Sequence, residues 1–358
     1  LFNQSNVTQS AYYSVRVLSG NCVGAAFSLE VVLSPKPVIT QMTTVTCSGV
    51  FFNITPVNGS NGIVPFGTKY RWSEPQVTAT MTGGESKSGQ DGIYGTLLNR
   101  TNTVQTATYI VTPSIGSCGD GAPFTVLVTV NPTPEIGVLS TVTCSGVPFQ
   151  VSPVVSFGGR DIVTADTKYR WNVPTYSGTM TGGQSRLDAA GQTHIFGTLL
   201  NRTNIPQTAT YTVIPRADLG GCEGTSFTVL VTVNPTPEIG VLSTVTCSGV
   251  PFQVSPVVSY GGRDIVTADT KYRWDVPTYS GTMTGGQSRL DAAGQTHIFG
   301  TLLNRTNIPQ TATYTVIPRA DLGGCAGTSF TVLVTVNPTP EIGVLSTVTC
   351  SGVPFQVS

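Results

Sequence analysis

Eight cysteines and two histidines are the residues of this chain whose types and spacing could do chemistry. Cys22, Cys47, Cys118, Cys144, Cys222, Cys247, Cys325 and Cys350 recur at regular intervals, whereas His194 and His297 stand alone, with no neighbouring Cys. A zinc site needs its ligands clustered at short spacing, so the pattern predicts disulfides in an oxidising compartment and no metal. Asp161, Asp166 and Asp188 lie in glycine-bearing loops, but a calcium cage needs several oxygens at set spacing, and they read as solvated loop carboxylates. Thr181-Gly-Gly-Gln-Ser185 lacks the Lys and the strand-to-helix setting of a phosphate loop, and Ser185 is not in a Gly-x-Ser-x-Gly elbow. No pair of carboxylates is placed for glycoside hydrolysis. Lys168 and Asn201 bring an isopeptide crosslink to mind, but no buried acid to promote it is evident. Asn-Arg-Thr at 99–101, 201–203 and 304–306 fits the N-glycosylation sequon, which a bacterial source would leave bare. The expectation is no cofactor, no catalytic residue and no enzyme.

The composition narrows the classes further. Charged residues make up 10% of 358, against roughly 25% in ordinary soluble domains. Lys+Arg and Asp+Glu are equal at 18 each, so no net field draws in nucleic acid or an anionic membrane. Apolar runs such as Phe227 to Val233 are broken by Thr, and no membrane span is predicted. The first residues, Leu1-Phe-Asn-Gln-Ser5, have neither the basic nor the apolar region of a signal peptide.

Internal repetition organises everything else. Pro132 to Asn234 recurs as Pro235 to Asn337 with three differences: Phe157 against Tyr260, Asn172 against Asp275 and Glu223 against Ala326. A further copy starts at Pro338 and runs unchanged to Ser358, and residues 35–131 are a diverged copy. Residues 1–34 align with the last third of a unit. The predicted organisation is the C-terminal part of a repeat (1–34), three Ig-like repeats (35–131, 132–234, 235–337) and the N-terminal part of another (338–358). Such a window is expected to belong to a longer polypeptide, since part of a sandwich exposes unpaired edges.

Each unit reads as all-β. Phe227–Val233 and Thr208–Ile214 are β-branched and aromatic; Lys168–Trp171 and Pro148–Ser152 alternate. Ile136–Val142 and His194–Leu200 complete a set of about six, with a seventh near Tyr176–Met180. Turn signals such as Gly158-Gly-Arg-Asp161 separate them. Ser185–Ala190 before Gly191 hints at one or two helical turns. Roughly seven short strands in about 100 residues predict tandem immunoglobulin-like β-sandwiches in an elongated rod, joined by semi-rigid Asn-Pro-Thr-Pro links. Trp72, Trp171 and Trp274 sit at one point of each unit and read as core residues.

At Tyr169-Arg-Trp171 and Thr210-Tyr-Thr-Val213 the unit resembles the PKD domain family, departing from it at Asn172-Val-Pro174. Cys144-Ser-Gly146, Thr181-Gly-Gly183, Gly221-Cys-Glu-Gly224 and Thr228 to Pro237 resemble more closely the tandem PKD-like units of Bacteroidota surface adhesins. These include giant gliding-motility adhesins of the SprB type and other type IX secretion cargo. The resemblance implies a secreted, cell-surface stalk or filament segment on a Gram-negative outer membrane, used in attachment or gliding. Its partners would be neighbouring repeats of the same polypeptide and a surface glycan or anchoring partner. The alternative is a multivalent carbohydrate- or protein-binding array, for which Tyr176 and Tyr279 are the candidate ligand contacts; the first copy has Thr78 or Ala79 there.

Two cysteine pairings are open. One bridge inside each unit would join Cys47–Cys118, Cys144–Cys222 and Cys247–Cys325. In an Ig-type Greek key, however, Cys144 falls before the second strand and Cys222 after the sixth, at opposite ends of the sandwich and about 30 Å apart, while a disulfide needs Cα atoms within about 7 Å. The preferred pairing therefore crosses the junctions, Cys47–Cys222 and Cys144–Cys325.

Overall fold

Period-two patterning sets the long strands of the three whole units. Along Gln207–Ala217 the buried positions are the odd-numbered ones, among them Ala209, Tyr211 and Val213, and Phe227–Asn234 buries Phe227, Val229, Val231 and Val233. These two strands pair antiparallel from Gln207 opposite Val233 to Val213 opposite Phe227, so their apolar faces coincide. The computed structural model describes residues 1–158, 161–261 and 264–356. In the unit of residues 132–234 the main sheet runs Leu139–Cys144, Phe227–Asn234, Gln207–Ala217, Thr167–Trp171, with the first pair parallel and the others antiparallel. Facing it, Pro148–Val151 pairs with Ile195–Thr198, and Met180–Thr181 with Leu200–Asn201.

Between these layers lies a core that includes Phe149, Trp171, Ile195, Leu199, Tyr211 and Val231. Trp171 is only 1% exposed, and its Nε1 donates to the Gln184 carbonyl at 3.1 Å, so the one polar atom of the ring is satisfied. Trp72 and Trp274 hold the same place. The third unit repeats this arrangement strand for strand, and the first builds it with Phe52, Trp72, Ile93, Leu97 and Tyr109. Each unit is a β-sandwich, and the described residues contain no α-helix. Gln9–Ser19 and Cys22–Leu33 form a two-stranded hairpin, and residues 338–356 carry no strand.

Several local expectations need correction. The strand expected over Ile136–Val142 starts only at Leu139, because Glu135 exchanges backbone hydrogen bonds with Ile162 and Gly137 N donates to Asp161. That partner is a hairpin of Ser156–Gly158 with Asp161–Val163. Gly159 and Arg160 of its expected turn, their repeats Gly262 and Arg263, and Val357 and Ser358 lie outside the described residues. The seventh strand divides: Thr175–Tyr176 joins one sheet and Met180–Thr181 the other. No helix forms at Ser185–Ala190, since Arg186 is drawn into extended pairing with Trp171 and Gly191 closes a turn on Asp188.

One feature of the core is costly. The hydroxyls of Tyr109, Tyr211 and Tyr314 are buried with no hydrogen-bond partner among the described residues. Burial pushes the Tyr109 and Tyr314 phenols up to about 12, and raises Tyr211 too. Tyr70, Tyr169 and Tyr272 are likewise pushed up to about 12 by burial. In the unfolded chain these phenols ionise near 10. A raised folded-state value means their contribution is intact below about pH 10 and is lost as pH rises from there toward 12. Denaturant titrations at increasing pH should show stability falling across that window. Tyr211→Phe should leave stability at pH 7 unchanged or raise it by about 1 kcal/mol, because no bond is lost and a hydroxyl is no longer buried.

Candidate functional site

The regions between units contain the most specific chemistry. Cys47 closes the strand Met42–Cys47 opposite Asn131, at the trailing end of the first unit. Cys222 follows the 3-10 turn Leu219–Gly221 at the leading end of the second, where it pairs with Ala217. The two form a disulfide with Cα atoms 5.6 Å apart, and Cys144 and Cys325 repeat the bridge across the next junction with the same separation. The two disulfide loops overlap, because Cys144 precedes Cys222 in the chain.

The alternative with one bridge per unit is not formed. Cys144 lies opposite Asn234 at the trailing end of the main sheet, whereas Cys222 lies opposite Ala217, at the other end of the long strand Gln207–Ala217. An eleven-residue strand separates the two ends by roughly 35 Å. Cys144–Cys222 is excluded on that ground, and so is Cys247–Cys325 in the third unit. Among the described residues Cys22, Cys118, Cys247 and Cys350 form no disulfide.

What allows the approach is the loop Asp218-Leu-Gly-Gly-Cys222. Gly220 has φ of +79°, and a Cβ there would drive into the Asn131 amide of the preceding unit. Gly323 stands against Asn234 in the same way. Asp166 anchors the loop, accepting from Leu219 N at 2.5 Å. Burial alone would raise the Asp166 carboxyl, but hydrogen bonds from the Thr164 hydroxyl and Leu219 N outweigh it and hold it below the usual carboxylate range. The two Pro-Thr-Pro linkers between whole units, residues 132–134 and 235–237, are fixed from both sides. Thr133 Oγ1 donates to Ser48 O at 3.1 Å, Glu135 is bonded to Ile162, and Gly224 packs against the Pro134 carbonyl with no room for a Cβ.

The remaining candidates resolve one by one. Asp161 accepts from Gly137 N and Asp188 from Gln192 Nε2, both at 2.9 Å, so these carboxylates stabilise loops. Among the described residues no cluster of His, Cys, Asp and Glu could hold a metal. Asn201, fully buried, donates through Nδ2 to Ile205 O and Val233 O and accepts from Thr203 N and Oγ1. Its amide is therefore saturated, and the sequon is a structural turn closed to both crosslinking and glycosylation; Asn99 and Asn304 repeat it. Tyr176 is half-buried against the core, and its hydroxyl accepts from Gly183 N, as that of Tyr279 does from Gly286 N. Each hydroxyl is thus engaged within its own unit. The first-unit residue facing the same partner strand position is Val77, not Thr78 or Ala79, because Val77 pairs with Ala107 as Tyr176 does with Ala209.

A site that the sequence reading missed lies on the flank of the second unit. It is an open cleft of about 580 Å³ that includes Phe149, Gln150, Gln184, Arg186, His194 and Phe196, and the third unit has its counterpart of the same volume. The signal was faint: a single Arg, His and Phe at spacings that match no known motif.

A family model described as a PKD-like domain matches residues 40–134, 157–237 and 257–340. No curated protein matches the chain. Among solved structures the chain is similar to an endo-fucoidan hydrolase of glycoside hydrolase family 107, at 12% identity and a TM-score of 0.23, covering 84% of this chain and 43% of that one. It thus spans less than half of the hydrolase. Drosophila N-cadherin EC1-4 is similar at 10% identity and a TM-score of 0.24, covering 94% and 84%. Mouse protocadherin-24 EC1-3 is similar at 14% identity and a TM-score of 0.26, covering 86% and 100%.

Removing the bridges should loosen joints and spare cores. In the double variant Cys47→Ser, Cys144→Ser the two junction disulfides are absent, with an expected stability loss of about 2–4 kcal/mol for each bridge. Hydrogen exchange should rise at residues 131–137 and 218–224, while protection of Tyr211 and Val231 persists under native conditions. Equal loss of protection throughout the sandwiches would contradict this.

Proposed function

The chain belongs to the PKD-like domain family, and on that premise we propose that it is a load-bearing stalk segment of a secreted cell-surface adhesin, with no enzymatic activity. The observation that carries this reading is the pair of overlapping junction disulfides. A bridge across a joint does nothing for a catalytic pocket, but it limits how far the joint can bend or extend. The shortest covalent route from Cys47 to Cys325 crosses to Cys222, returns along the chain to Cys144 and crosses again. That route holds roughly 80 residues, on the order of 280 Å when extended, in place of roughly 280 residues and about 1,000 Å.

The disulfides and PKD-like domains are consistent with an extracellular location, and no helix among the described residues is long and apolar enough to cross a membrane. Within this reading the parent protein is a gliding-motility or attachment adhesin of a Gram-negative, Bacteroidota-like outer membrane, exported by type IX secretion. The neighbouring repeats are its immediate partners, and a surface glycan or anchoring protein lies beyond them. Sequence supports this through low charge, Thr-rich strands and recently duplicated units, all suited to adding length.

Pulling single molecules from their ends measures the property directly. Under oxidising conditions the separation of Cys47 and Cys325 should stop growing near roughly 280 Å, and reductant should release the rest. Full extension without reductant would end the stalk reading. A protease cut between residues 145 and 221 should leave the two fragments joined until reduction. Solution scattering should give a maximum dimension of roughly 100–130 Å for stacked sandwiches about 33 Å long with their links, and a value under about 70 Å would contradict a rod.

A further inference from the structure

The flank cleft of the second and third units has no part in holding the rod together, and its side chains are arranged for binding. At its centre Phe196 stands edge-on to the buried Trp171, with ring centroids 5.8 Å apart. The Arg186 guanidinium lies over Phe196 at 5.4 Å, and His194 tilts against the same ring at 5.3 Å. Arg289, Phe299 and His297 reproduce each of these distances in the third unit. An aromatic ring in contact with both a cation and an imidazole fixes their directions at little entropic cost.

The charge of that arginine is not neutralised. Its Nη1 donates only to neutral oxygens, Gln184 Oε1 at 3.2 Å and Ser185 O at 3.1 Å. Among the described residues neither Arg186 nor Arg289 has an acidic partner within salt-bridge distance. The first unit shows the opposite state. There Lys87 replaces the arginine and is paired with Glu85 at 3.2 Å, Gly92 replaces the histidine, and Phe51, in the place of Pro148, lies against Tyr94 with ring centroids 5.7 Å apart.

We propose that the clefts at Arg186 and Arg289 bind an acidic saccharide through its carboxylate. The planar guanidinium suits bidentate recognition of a carboxylate. Gln150 and Gln184 supply both donors and acceptors for ring hydroxyls, and the partly exposed Phe196 ring adds an apolar wall. The volume of about 580 Å³ falls among small-molecule sites, and two such clefts in successive units would gain avidity on a polymer of acidic sugars. This goes beyond the stalk reading, which would stand or fall on its own mechanical test.

Calorimetric titration of the intact oxidised chain with trigalacturonate tests the proposal. Two sites per chain are expected, with no heat from the fully methyl-esterified trimer. Arg186→Gln should reduce the stoichiometry to one, with the third unit serving as an internal control for folding, and Arg186→Gln with Arg289→Gln should abolish binding. Lack of binding by the intact chain, unchanged stoichiometry in the double variant, three sites instead of two, or equal binding of the ester would overturn it. Tighter binding of a glutamate-rich peptide than of trigalacturonate would overturn the saccharide assignment.

Discussion

Everything beyond the single sandwich depends on how closely one unit can approach the next. That approach is set by the loop Asp218-Leu-Gly-Gly-Cys222, whose Gly220 lies against Asn131 where no Cβ would fit. With Asp166 holding Leu219 N, the loop carries Cys222 to Cys47 and its Cα to within 5.6 Å of the partner. The disulfide then makes permanent a contact that glycine geometry has already permitted. The next junction uses Gly323, Asn234 and Asp269 in the same roles, so the joint is a repeated structural unit in its own right.

The joint and the core solve different problems. Inside each sandwich, burial of Trp171, Tyr211 and their neighbours stabilises the fold through apolar area, with Asn201 and Thr203 satisfying the one deeply buried turn. Between units the contacts include a Thr133 hydroxyl on Ser48, the approach of Gly220 to the Asn131 amide, and the bridge. Interfaces of that kind between domains ordinarily allow relative motion. A covalent crosslink is the economical remedy in a chain with too few charges to build an ion-pair network. Overlap of the two bridges extends the effect along the array, because the middle unit is tied to both neighbours by separate covalent routes.

Duplication gives a natural contrast within one molecule. The second and third units share Arg, His and Phe in their flank clefts, while the first carries a Lys paired with Glu and a Phe51–Tyr94 aromatic pair. The central core residues Phe52, Trp72, Ile93, Leu97 and Tyr109 of the first unit match Phe149, Trp171, Ile195, Leu199 and Tyr211 of the second, so divergence has touched the flank more than the centre of the core.

The sequence by itself determined the β-sandwich units, the core tryptophans and the disulfide chemistry, since period-two alternation, β-branched runs and cysteines with no metal-binding partners are local signals. It could not determine the Asn-Arg-Thr turn, whose meaning depends on Asn201 reaching Val233 across thirty-two positions of chain, nor the extended Ser185–Ala190 segment, where pairing with Trp171 overrode a local helical tendency. The roles of Tyr176, Asp161 and Arg186 were equally hidden, because each is set by a neighbour distant in sequence. Which cysteines meet was constrained by strand count, yet only the tertiary structure decided it, because that depends on which end of a sandwich each turn occupies and on how one unit is set against the next.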